Sequence, residues 1–230
     1  MKKITLSFDN GPDPEVTPAV LDVLAQKGVK ASFFVVGDKL RDPERLALAQ
    51  RAHAEGHWIG NHTFNHLVPL GRSQHEGVTA LEIGRTQDLI GGLAHEMKFF
   101  RPFGGGGNLN ADLLDRNARD YLQKEGFTCV LWNVVPRDWE QPAQWVETAM
   151  QMCRTIDHPL IVLHDITTGA MAYLDEFIDR AERDGMTFVQ DFPAACLPMV
   201  RGKVMFDMSP FIADHGSRAY ARPEIRKDRL

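Results

Sequence analysis

Lys3-Ile4-Thr5-Leu6-Ser7-Phe8, followed at once by Asp9-Asn10-Gly11-Pro12, opens the chain. A short β-branched and aromatic run stopped by a turn cluster reads as a strand. Its continuation, Thr17 to Lys27, carries helical periodicity and ends at Gly28, and a second apolar run, Ala31 to Val36, follows. The unit is therefore strand, helix, strand. The alternation persists through strand candidates His57 to Asn61, Lys98 to Arg101, Thr128 to Asn133, Leu160 to His164 and Met186 to Val189. Helix candidates Pro43 to Glu55, Gln74 to Ile90, Ala111 to Lys124, Ala143 to Ile156 and Met171 to Arg183 lie between them. Glycines at 28, 56, 126 and 185 supply helix stops, and Asp42-Pro43 supplies a cap and a first turn.

Such an α/β alternation builds parallel strands with helical crossovers, either as an open sheet or as a closed barrel. No G-x-G-x-x-G follows a strand, and Gly104 to Gly107 lacks the spacing of a nucleotide loop. A single-domain, TIM-like α/β barrel is the expectation, spanning residues 1–196. Residues 197–230, rich in Pro, Arg and Asp, form an extension that covers a barrel face or packs on a second copy of the chain.

Composition fits one domain: 230 residues, 43% hydrophobic and 25% charged. The net charge of −5, with a cationic cluster only at Arg222 to Arg229, speaks against nucleic acid as a partner. No apolar run has the length of a membrane span, and Met1 to Asp9 meets a charge before a signal-peptide core accumulates. A cytoplasmic location is the expectation. Cys129, Cys153 and Cys196 are widely spaced in apolar surroundings and read as buried thiols.

In a βα barrel the site lies where strands end. The strands here end in Asp9-Asn10, Asn61-His62-Thr63-Phe64-Asn65-His66, Arg101-Pro102-Phe103-Gly104, Arg137-Asp138-Trp139 and His164-Asp165, so five strands aim titratable groups at one rim. His62 and His66, four apart, would share one face of a helical turn and one Zn²⁺ or similar ion; alone, such a pair is as well explained by surface histidines. Asp9 either caps its turn or deprotonates a water. Arg101 is either an ordinary surface cation or the group that keeps Asp9 ionised. His164 is either a satisfied core histidine or an acid for a leaving amine, oriented by Asp138. Trp139 is either a core or rim aromatic or a flat wall for a sugar ring, and the Gly104 N–H is a candidate oxyanion donor.

These residues resemble the polysaccharide deacetylases of carbohydrate esterase family 4, with their NodB-type domain, in five ordered motifs. T-F-D-D-G-P appears as Ser7-Phe8-Asp9-Asn10-Gly11-Pro12, H-[ST]-x-x-H as His62-Thr63-Phe64-Asn65-His66, and R-P-P-Y-G as Arg101-Pro102-Phe103-Gly104. D-x-x-D-W keeps Asp138-Trp139 but has Val135 first, and L-x-H becomes Val162-Leu163-His164. The resemblance implies a distorted (β/α)7 barrel, Asp9 as catalytic base, His164 as acid and Arg101 and Asp138 as their partners. It further implies metal ligands at His62 and His66, and Val162, Phe103, Gly104 and Trp139 around the substrate. Asn10 stands where the family places a metal-binding carboxylate, so the implied divalent metal, Zn by analogy, is held weakly or not at all.

The function that follows is hydrolysis of a C–N bond, removing an acetyl or formyl group from the nitrogen of a sugar or short oligosaccharide. Two rivals remain at this stage: a metal-independent amide or cyclic-imide hydrolase on the same barrel, and a non-catalytic carbohydrate-binding protein.

Overall fold

In the computed structural model, which describes residues 2–73 and 77–214, strands and helices alternate as β1 (Lys2–Asp9), α1 (Thr17–Lys27), β2 (Ser32–Val35), α2 (Pro43–Ala54), β3 (Trp58–Asn61), α3 (Arg85–Ile90), β4 (Phe99–Phe100) and α4 (Arg116–Lys124). The series continues with β5 (Thr128–Cys129), α5 (Trp145–Thr155), β6 (Leu160–His164), α6 (Leu174–Arg183), β7 (Met186–Phe188), β8 (Met199–Val200) and β9 (Lys203–Val204). Strands β6, β1, β2, β3, β4 and β5 are parallel neighbours in that order. Beyond β5 the chain turns toward β6, where Val134 bridges Ile161 and the Val162 N–H donates to Val134 O at 3.0 Å, so the ring closes. β7 pairs only with Lys2–Ile4 of β1, while β6 takes Thr5–Asp9, which leaves the barrel distorted on this side.

β1 explains why the interior is chemically unusual. Its even-numbered residues Ile4, Leu6 and Phe8 join the apolar layer with Val20, Leu21 and Leu24 of α1 and Phe177 and Ile178 of α6. Strand side chains alternate between faces, so Thr5, Ser7 and Asp9 share the other face, and all three are buried. Buried polar groups need partners: the Thr5 hydroxyl donates to Asp191 O at 2.6 Å and Ser7 to Ile161 O at 2.7 Å.

The glycines at 28, 56, 126 and 185 all have positive φ, as helix stops require. Asp42 accepts N–H groups of Glu44 and Arg45 at 2.8 and 3.2 Å, capping α2. The strand candidates at 98–101 and 128–133 shorten to two residues each, and the helix candidate from Ala111 starts only at Arg116, capped by Asp115. Gln74, His75 and Glu76, at the start of another helix candidate, and Arg222 to Arg229 lie outside the described residues.

The C-terminal region has more regular structure than its weak periodicity suggests. β8 pairs antiparallel with β5 at Cys129 and Met199, β9 returns along β8, and Met199 and Met208 are buried among Phe100, Leu122 and Phe127. The three cysteines are buried and unpaired. No helix among the described residues is long and apolar enough to cross a membrane.

Candidate active site

The β1–β6 register sets Asp9 directly opposite His164, so a carboxylate and an imidazole emerge side by side at the same rim. Asp9 is buried, its Oδ1 accepting from Arg101 Nη1 at 2.8 Å while Oδ2 lies 3.6 Å from His62 Nε2. Burial raises the Asp9 pKa. The Arg101 guanidinium, with His62 and His164, outweighs it and leaves the carboxyl below its usual value. Arg101, wholly buried, also donates to Ser7 Oγ at 2.7 Å and stacks 4.0 Å from the Phe34 ring centre, so its orientation is fixed on several sides.

His164 faces the opposite balance. Burial lowers its pKa, but Asp138, accepting from Nδ1 at 2.9 Å through Oδ1, more than compensates, with help from the charges of Asp9 and Asp165, and the net shift is upward. The other Asp138 oxygen accepts the His164 backbone N–H at 2.9 Å, and the Trp139 ring packs edge-on 4.8 Å away. Nδ1 is thereby committed to Asp138, and Nε2 is the ring nitrogen left to carry a proton toward a substrate.

His62 Nδ1 lies 2.9 Å from Arg101 O. A carbonyl can only accept, so Nδ1 carries the hydrogen and Nε2 of the neutral ring keeps its lone pair. His66 stacks on Phe103 with ring centres 4.0 Å apart and sits 4.9 Å from the His62 ring. Burial lowers both histidines, His66 to about 3, so both are neutral near pH 7. The histidine pair does not lie on a helical turn, contrary to the reading of its spacing. Residues 62–66 are an irregular loop in which Thr63 and His66 adopt φ of 65° and 52°, and that reversal brings the rings together.

Asn10, with φ 73°, lines the same cavity, and its Oδ1 is buried without a hydrogen-bond partner. The cavity, about 290 Å³, is lined by Asp9, Asn10, His62, His66, Phe103, Gly104 to Gly107, Trp139, Val162 and His164. Arg101 and Asp138 stand behind it. Val135, at the first position of the fourth motif, completes an apolar wall with Trp132 and Ile166, which no motif singled out. Asp165, placed at the rim by the sequence but given no role, accepts from Thr17 Oγ1 at 2.5 Å and fills the space where a Cβ on Gly11 would lie.

The chain matches the polysaccharide deacetylase family model over residues 1–130, more than half of its 230 residues. It belongs to that family. This family member is 34% identical over 168 residues to the chitooligosaccharide deacetylase of Rhizobium leguminosarum bv. trifolii, covering 71% of this chain and 72% of the relative. It is 32% identical over 196 residues to a peptidoglycan-N-acetylglucosamine deacetylase of Bacillus cereus, covering 82% and 85%. A family 4 acetyl xylan esterase from Clostridium thermocellum in complex with a cobalt ion superposes with a TM-score of 0.67 at 27% identity, covering 82% of this chain and 88% of the esterase. The first curated relatives matched are longer, this chain spanning 38% to 66% of their length. The donor set fits a divalent cation: two neutral imidazoles and one buried, unpartnered amide oxygen around one cavity.

Proposed function

We propose that this polysaccharide deacetylase family member hydrolyses the amide of an N-acetylated or N-formylated sugar or short oligosaccharide. The observation that carries the proposal is the in-register pair of Asp9, paired with the Arg101 guanidinium, and His164, whose Nδ1 is bound by Asp138, on one cavity. Asp9 accepts a proton from the water that attacks the acyl carbon. His164 donates a proton from Nε2 to the nitrogen as the C–N bond breaks, giving a carboxylic acid and a free amine. Proton exchange with solvent then restores the ionised Asp9 and protonated His164. The Gly104 N–H supports the developing oxyanion. Trp132, Trp139, Val135, Val162 and Ile166 give the small acyl group and the sugar face an apolar wall. That chitooligosaccharide and peptidoglycan deacetylases are among the relatives supports a sugar amide as substrate.

His62 Nε2, His66 and Asn10 Oδ1 would hold a divalent metal, which when bound supplies Lewis-acid polarisation and a more acidic water. Among the described residues no three His, Cys, Asp or Glu side chains are grouped to hold an ion, and the third protein ligand would be the neutral Asn10 amide, whose Oδ1 is buried without a partner. That is the specific observation favouring a second reading, hydrolysis without metal.

Acetate release from N-acetylated chitooligosaccharides, measured before and after exhaustive chelation in the parent and Asn10→Asp, separates the two. Loss on chelation, restored by Co²⁺ or Zn²⁺ at roughly tenfold lower metal concentration in Asn10→Asp, is the expected result; tenfold corresponds to about 1.4 kcal/mol. Turnover unchanged by chelation in both proteins supports the metal-free reading, and no turnover in either contradicts the proposed activity.

A further inference from the structure

The loop that carries both histidines is held from outside by a side chain that touches neither. Glu82 belongs to a π-helical turn, Ala80–Gly84, that runs into α3 and is buried. Its Oε2 accepts the backbone N–H groups of Phe64 at 2.8 Å and Asn65 at 2.9 Å, and its Oε1 accepts from Asn65 Nδ2 at 2.8 Å. Phe64 and Asn65 lie between His62 and His66, in the stretch bounded by the left-handed residues Thr63 and His66.

A loop so sharply reversed cannot pair all its amides with a strand, and each buried amide needs an acceptor. Its carbonyls are served by the barrel: Gly37 N donates to Thr63 O and Asp38 N to Phe64 O, both at 2.9 Å. Its N–H groups are served by side chains, Asn61 Oδ1 taking that of Thr63 at 3.1 Å and Glu82 taking the next two. The π turn is tied to the same place, because Asn61 Nδ2 donates to Ile83 O at 2.9 Å and Thr86 Oγ1 to Glu82 O at 2.9 Å. Single π turns inside helices recur at functional sites.

We propose that Glu82 is a positioning residue for the histidine pair: it fixes the 62–66 loop so that both imidazoles face one cavity, and thereby sets the affinity of that site for a divalent cation. The cation clause rests on the reading of His62 and His66 as ligands given above. Groups that orient ligands without touching the ion typically change metal affinity by about 10–100-fold when removed.

The test compares the parent, Glu82→Ala, Glu82→Gln and a control, Asp115→Ala, which removes a single helix-capping bond to Ala118 N far from the loop in sequence. Two readouts are used: Co²⁺ affinity by calorimetry on chelated protein, and the histidine ring signals in long-range ¹H–¹⁵N spectra without metal. Glu82→Ala is expected to weaken Co²⁺ binding roughly 10–100-fold and to move the His62 and His66 ring signals while leaving those of His158 in place. Glu82→Gln should move the same signals in the same direction by less, and decides the matter if the alanine variant does not fold. Asp115→Ala should lower the melting temperature with Co²⁺ affinity and ring signals like the parent's. Parent-like affinity and unmoved ring signals in the folded Glu82 variants overturn the proposal. A parent that binds no Co²⁺ sinks the metal reading alone; the ring signals then decide, movement supporting the role of Glu82 and no movement ending it.

Discussion

At Asp9 and His164 burial disfavours the charged form of both side chains, and in both the neighbouring charges, led by one partner, reverse the outcome. Arg101 brings Asp9 below its ordinary pKa and Asp138 brings His164 above its own. The consequence for rate is a defined pair of limbs. With Asp9 as the proposed base and His164 as the proposed acid, turnover would need the first ionised and the second protonated, so kcat/KM should rise below the ordinary aspartate range and fall above the ordinary histidine value. Asp138→Asn removes the charge that raises His164, and its alkaline limb should shift to lower pH with kcat reduced roughly 10²–10⁴-fold, since general acid catalysis contributes about that much. A pH–rate profile checks this, and an alkaline limb unmoved by the substitution contradicts the role given to Asp138. Asp9, Arg101, Asp138 and His164 were legible in the sequence because each follows or ends an apolar strand candidate where charge has no structural reason to recur. Glu82, and the Thr17 contact of Asp165, were not, because neither falls in a motif and their partners lie 17 to 148 residues away.

The elements that deliver these side chains divide by how local their determinants are. α2 begins at the residue read from its Asp42 cap and Pro43, and α1 ends at Lys27 before the Gly28 stop, since capping and helix stops are decided within a few residues. Asp42→Ala should therefore cost about 1 kcal/mol, the usual worth of an N-cap. Urea unfolding measures it, and an unchanged midpoint would show that α2 is held by packing alone. The short strands β4 and β5 and the β8–β9 pair were misread or unseen, because two-residue strands are defined by the neighbour they bond to. The histidine loop failed for a related reason. Spacing of four suits a helix, but a helix there would leave Asn61 Oδ1 and Glu82 without the amides they bind.

Across the whole molecule, closure of the parallel sheet is what turns scattered motifs into a site. Val134 meeting Ile161 brings the segment after β5 beside β6, so Asp138 and Trp139 arrive next to His164 while Arg101 reaches across from β4 to Asp9. The alternating elements left an open sheet and a barrel equally open, and only the lack of a nucleotide loop pointed to the barrel; the partial pairing of β7 and the hairpin added at β5 depend on long-range register and could not be read. On the proposed function this assembled pair, Asp9 and His164, cleaves a sugar N-acyl bond. The most direct measurement is quantification of free acetate and free amine released from N-acetylated chitooligosaccharides by the parent, Asp9→Asn and His164→Ala, each loaded with Co²⁺. Equal amounts of both products from the parent, with each variant slowed about 10²-fold or more while still folded, is the predicted result; variants that match the parent, or a parent that releases neither product, would contradict it.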